Sequence, residues 1–225
     1  MIRLVFYGKL WFSGQPDKVL TPHNTKYIII AMSDSRNTLI QPPSNPRFMF
    51  DFHNHLQDPR LRPHLTSVIT AALAAGVHGC CCSSTSPADW PDVAHITSLH
   101  PRFTIIPAFG IHPWYLAPLP TDWPEHLEAL LVTHPHAAVG ESGLCGVNRL
   151  HPPDLQLTIL RQQLTIAARY QRPVILHGAR AWGHLLAAVK PFAHRIPALI
   201  AHSFGGSADI LRQWLQLGGF VSFSG

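Results

Sequence analysis

From Phe48 onward the chain alternates between two hydrophobic patterns. Short runs that are apolar at consecutive positions predict strands at Phe48–Phe52, Val77–Ser83, Phe103–Phe109, Ala137–Val139, Pro173–Leu176, Ala198–Ala201 and Phe220–Phe223. Between them, longer stretches with helical spacing predict helices at Pro63–Ala75, Pro87–Leu99, Pro124–Thr133, Leu155–Tyr170, Ala181–Lys190 and Ala208–Leu217. Gly76 punctuates the first helix, and Asp154, after two prolines, is the expected N-cap of the fourth. Strands without polar alternation are what a parallel sheet buried on both faces requires. Seven strands with six intervening helices predict an α/β fold, most simply a TIM-type (β/α) barrel, with a doubly wound sheet as the competing arrangement.

Residues 1–48 read differently. They carry polar turns (Ser13-Gly14-Gln15-Pro16), an apolar run Tyr27–Ala31 and a proline-rich stretch Gln41–Arg47, with no sustained period. They also hold six basic and two acidic residues, against 11 and 10 in the remainder. The net charge of +5 is therefore mostly a property of this segment and is poor evidence for an anionic partner of the rest.

No apolar run is long enough to span a membrane, and Gly8 and Lys9 break the only stretch resembling a signal peptide. Three of the four cysteines, Cys80, Cys81 and Cys82, are consecutive, and alternating side-chain directions on a strand make adjacent cysteines poor disulfide partners. Nothing in the spacing makes a zinc knuckle, and the three thiols are expected to fill a buried strand. A reducing, cytoplasmic location is expected.

Histidine is the compositional excess, with 16 copies. Several fall where predicted strands end, which in a (β/α) barrel is the face that carries chemistry. The first strand runs into His53-Asn54-His55, whose i, i+2 spacing puts both rings on one face of an extended chain. The third runs into His112, the fourth into Glu141, the fifth into His177 and the sixth into His202. Imidazoles and a carboxylate converging on one mouth suit divalent metal ions, and a shared carboxylate suits two.

At these residues the sequence resembles the TatD family of metal-dependent hydrolases, which includes deoxyribonucleases. The matching segments are Phe50–Leu56, Gly110-Ile111-His112-Pro113, Val139–Leu144, Pro173–His177 and Ala201–Gly206, in order across 49–225. The resemblance implies that His53 and His55 hold one metal, that His177 and His202 hold the second, and that Glu141 bridges them as the central catalytic carboxylate. It places His112 near the substrate phosphate and Arg180 at the rim of the site. The implied cofactors are two divalent ions (zinc, magnesium or manganese). The implied partner is DNA or another phosphodiester.

The chain departs from the family pattern in three ways. Cys145 stands where the family usually has Asp. Residues 1–48 have no family counterpart and are expected to derive from an upstream start, leaving 49–225 as the hydrolase barrel. The family's Glu-Thr-Asp-x-Pro segment on an eighth strand, whose Asp is the last ligand, does not occur in this sequence. A barrel ending after its seventh strand is expected to be open, with two unpaired strand edges.

The function this implies is hydrolysis of DNA phosphodiesters by water activated between two metals. Two alternatives stand beside it: a hydrolase of other ester bonds, and an inert relative lacking the last Asp. Trp90, Trp114, Trp123, Trp182 and Trp214 are expected mainly in core or helix-packing roles, with Trp114 and Tyr115, following His112-Pro113, carrying a base-stacking platform as the lesser alternative. Arg161, Arg169 and Arg172 are read as a solvated helix surface.

Overall fold

A computed structural model describes Phe6–Tyr7, Ile28–Ile29, residues 49–148 and residues 150–223. The seven expected strands form as β3 (Met49–Asn54), β4 (Val77–Ser83), β5 (Thr104–Phe109), β6 (Ala138–Gly143), β7 (Val174–His177), β8 (Leu199–Ala201) and β9 (Phe220–Val221). They lie side by side in sequence order, every neighbouring pair parallel. A doubly wound sheet reverses its order at a switch point. This sheet does not, so the alternative is excluded and the strands form the curled wall of a TIM-type barrel.

The two faces of the sheet differ accordingly. One packs against the helices in a large apolar cluster, in which Leu127 and Leu131 of α3 (Trp123–Thr133) and Leu160 and Leu164 of α4 (Pro153–Tyr170) are fully buried. Their i, i+4 spacing is what turns those segments into helices that stay put, each buried leucine contributing about 2 kcal/mol. The other face carries a small cluster built from the strands, with Cys81, Ala108, Ala138, Ile175 and Ile200 at its centre. That inner layer is the barrel interior.

The remaining helices are α1 (Leu65–Ala74), α2 (Trp90–Ile96), α5 (Trp182–Val189) and α6 (Ala208–Gln216). Single 3-10 turns at Arg62–His64 and Pro87–Asp89 replace the expected first turns of α1 and α2. Ser207 caps α6, its hydroxyl accepting from the Ile210 N–H at 3.3 Å. Asp154 is not the cap of α4: the helix starts at Pro153 behind Pro152, and Asp154 sits inside the first turn, where its charge favours the helix N-terminus.

Strand limits also shift. β3 runs on to Asn54 and β6 to Gly143, so His53 and Glu141 are strand residues rather than followers of strands. The expected start at Phe48 and the stretches Ser13–Pro16 and Gln41–Arg47 lie outside the described residues.

Two further strands, β1 (Phe6–Tyr7) and β2 (Ile28–Ile29), pair antiparallel, and β1 lies parallel to β3 with Phe6 opposite Asp51. The sheet is open, as expected, with an edge strand on either side; β1 covers β3, so among the described residues the edges are β2 and β9 rather than β3 and β9. Among the described residues no helix is long and apolar enough to cross a membrane.

Candidate metal centre

Glu141 is the hub of the mouth. It is buried on β6, behind Gly140, whose φ of 152° lies where only glycine rests easily. A Cβ there would come within 2.9 Å of Ile175 on the neighbouring strand. Glycine therefore lets β6 and β7 close up while the next residue projects inward.

Five imidazoles surround this carboxylate. Its Oε2 faces Nε2 of His53 at 3.1 Å and Nε2 of His55 at 3.3 Å. Its Oε1 faces Nδ1 of His177 at 3.0 Å, Nε2 of His202 at 3.0 Å and Nε2 of His112 at 3.6 Å. The donor atoms of His53, Glu141 and His202 lie within 4.8 Å of one another, as do those of His112, Glu141 and His177. The rings of His53 and His202 stack at 3.8 Å.

Partners on the far side of each ring set its role. His55 Nδ1 lies 2.7 Å from the Ser83 carbonyl oxygen, which can only accept, so Nδ1 carries the proton. The lone pair of His55 is then on Nε2, pointing at the centre, as a metal ligand requires. His112 is the reverse. The Trp114 main-chain N–H donates to its Nδ1 at 3.2 Å, so in the neutral ring Nε2 bears the hydrogen and offers a donor to the site. His202 Nδ1 meets the Ser203 hydroxyl at 2.9 Å. His177 turns Nδ1, not Nε2, to Glu141, and its ring also meets the Cys145 side chain.

The electrostatics follow from this packing. Burial alone would raise the Glu141 carboxyl, but His53, His202 and His112 outweigh it and hold it well below its ordinary value. Burial lowers His53 to about 3 and His112 to about 4, so both are neutral near pH 7. His55 and His177 are raised instead, since the Glu141 carboxylate overcomes the cost of burying them. Burial also keeps Asp51 protonated up to about 7, despite hydrogen bonds from Asn54 Nδ2 (2.9 Å) and the His53 N–H (3.1 Å).

The structure thus gathers His53, His55, His112, Glu141, His177 and His202. Arg180 stands apart, exposed in the loop after β7 with a left-handed φ of 51°.

Two residues escaped the sequence reading. Gln156 and Gln163 are both buried on α4. Gln163 accepts from the Ile111 N–H at 2.8 Å and donates to the Ile111 carbonyl at 3.1 Å, pinning the segment that carries His112. Gln156 accepts from the Cys145 N–H at 2.8 Å and donates to the His151 carbonyl at 3.0 Å, pinning the loop after β6. The available signal was two amides seven residues apart on the core face of an amphipathic helix.

Comparison with known proteins agrees with this architecture. The family described as TatD related DNase matches residues 50–225. A 3'-5' ssDNA/RNA exonuclease TatD of Edwardsiella piscicida is 28% identical over 177 residues, covering 79% of this chain and 68% of the relative. The Klebsiella pneumoniae (strain 342) protein of the same name is 30% identical over 181 residues, covering 79% and 66%. Among solved structures, YjjV, a TatD homolog from Escherichia coli K12, superposes with a TM-score of 0.71 at 28% identity, covering 78% of this chain and 67% of that one. A TatD family hydrolase from Entamoeba histolytica shares the fold at 19% identity and a TM-score of 0.68. Family match, sheet order and the ring of imidazoles around one carboxylate lead to one assignment: the chain belongs to the TatD-related DNase family of metal-dependent hydrolases.

Proposed function

We propose that the chain hydrolyses phosphodiester bonds of DNA with two divalent ions that Glu141, His53, His55, His177 and His202 would hold. The observation that carries this reading is the division of the carboxylate, with Oε2 turned to His53 and His55 and Oε1 to His177 and His202. A buried carboxylate facing imidazoles on both sides is a donor set that two divalent ions would complete. Its nitrogen content favours zinc over magnesium. Bound there, such ions lower the pKa of water and polarise a phosphoryl oxygen.

The chain's own groups supply the rest. Glu141 and the imidazoles fix position and neutralise charge in a water-poor pocket, where electrostatic stabilisation is strongest. The Nε2–H of His112 is offered to a non-bridging phosphate oxygen. Arg180 adds a fixed positive charge at the rim. The similarity to proteins named as single-strand DNA/RNA exonucleases supports a nucleic-acid strand as the substrate.

The test is hydrolysis of a labelled DNA strand by the purified full chain supplied with zinc, manganese or magnesium, alongside metal analysis. Expected are close to two ions per chain, loss of cleavage in EDTA, and loss of both metal and cleavage in Glu141→Gln. Cleavage at the original rate after either treatment would refute the proposal.

A further inference from the structure

Four described tryptophans, Trp90, Trp123, Trp182 and Trp214, are buried. Trp114 is not: it is 40% exposed, and its neighbour Tyr115 is 48% exposed. Two adjacent exposed rings beside a buried polar centre make a contiguous apolar patch of the kind that marks a binding surface.

Trp114 is held firmly. Its indole N–H donates to the Cys145 sulfur at 3.2 Å. Its ring stands edge-on to His112 at 5.0 Å between centroids, and lies 6.2 Å from His177. His151 Nε2 lies 3.2 Å from the Trp114 carbonyl and 3.3 Å from the Leu116 N–H, tying the segment to the loop after β6. The Tyr115 N–H donates to the His112 carbonyl at 2.9 Å, and its ring lies 6.1 Å from that imidazole. The only polar atom of the indole is spent on Cys145, so the exposed part of this flat ring is apolar. A plate of this kind, next to two imidazoles of the hydrolytic centre, fits a nucleobase: any base stacks on it, and none is read by hydrogen bonds.

From this geometry we infer that Trp114, supported by Tyr115, is a stacking platform for the terminal base of a single strand, and that Cys145 is the positioning residue that sets the plane of the indole. A base inside a duplex is already stacked and paired, so the platform selects unpaired ends. The inference rests on the proposed phosphodiester substrate and adds the residues that hold the terminal base. Cys145 takes the part of an acceptor here, a role an Asp side chain also fills.

The test is equilibrium binding, which separates this claim from the hydrolytic one. Fluorescence anisotropy is measured with a 5'-labelled single-stranded DNA oligonucleotide at the metal-loaded full chain in the Glu141-intact form, using a non-hydrolysable phosphorothioate end. A second oligonucleotide carries an abasic 3' terminus. Wild type is expected to bind the base-bearing end about ten-fold or more tightly than the abasic end. Trp114→Leu should abolish that preference while leaving abasic binding unchanged, and Trp114→Phe should restore part of it. Cys145→Asp should preserve the preference and Cys145→Val should reduce it. Equal affinity for both ends in wild type, or an undiminished preference in Trp114→Leu, would overturn the platform. Discrimination between ends without any cleavage would leave the platform standing and remove the hydrolytic reading; cleavage without discrimination would do the opposite.

Discussion

The Trp114 main-chain N–H points at Nδ1 of His112 from 3.2 Å. A main-chain N–H cannot accept, so this one contact decides which nitrogen of the neutral ring carries hydrogen. It puts the hydrogen of the neutral His112 ring on Nε2, while the carbonyl of Ser83, 2.7 Å from Nδ1 of His55, puts it on Nδ1 there.

Removing that donor should separate chemistry from metal binding. His112→Ala is expected to keep its metal content and lose about 100-fold in cleavage rate, the scale for one lost oxyanion donor. Metal analysis alongside single-turnover rates checks this. A variant that loses an ion along with its rate would show His112 to be a ligand.

Metal binding should strengthen with rising pH. His53 and His112 are neutral from about pH 5 upward, but His55 and His177 are raised and keep their protons to higher pH. An incoming ion must displace those protons, so affinity rises as pH climbs through and beyond the ordinary histidine range. Titration calorimetry in two buffers of different ionisation enthalpy should show proton release near pH 6 that shrinks as pH rises.

Asp51 gives a stability prediction for the metal-free protein. Its folded value of about 7 exceeds the ordinary 3.8, so the folded state binds the extra proton between those limits. The stability this group contributes is full below about pH 4 and is lost as pH rises to about 7. Asp51→Asn does not titrate. Its stability relative to wild type should therefore improve steadily from about pH 4 to about pH 7, then level off. Urea melts in EDTA at three pH values would detect this, and a gap that does not change with pH would contradict it.

Gln163→Leu should destabilise the fold by about 2–4 kcal/mol, because it strands a buried N–H and a buried carbonyl of Ile111. Denaturant unfolding measures the loss. Gln163→Glu in its protonated form retains both partners in part and should cost less at low pH than at neutral pH.

Much of this was legible in the sequence because strand order and site geometry share one cause. A parallel sheet built from consecutive units puts every strand's C-terminal end on one face, so His53, Glu141, His177 and His202 were readable from where apolar runs stop. The pairing of β1 with β3 was not legible, since a two-residue strand has no period to detect. Asp154 was misplaced because prolines at 152 and 153 already fix the start of α4. The tautomers of His55 and His112 depend on main-chain groups 28 and 2 residues away, and no side-chain pattern records those.

The two glutamines of α4 have a wider consequence. They stand seven residues apart, about 10.5 Å along the helix axis, and each grips a different mouth loop. The spacing between those loops is thus copied from the repeat of a helix rather than set by loop length. Loop sequences are free to drift while the grips hold. Inserting a single residue between Gln156 and Gln163 would turn one grip by about 100° relative to the other and uncouple the halves of the mouth without touching any residue in it.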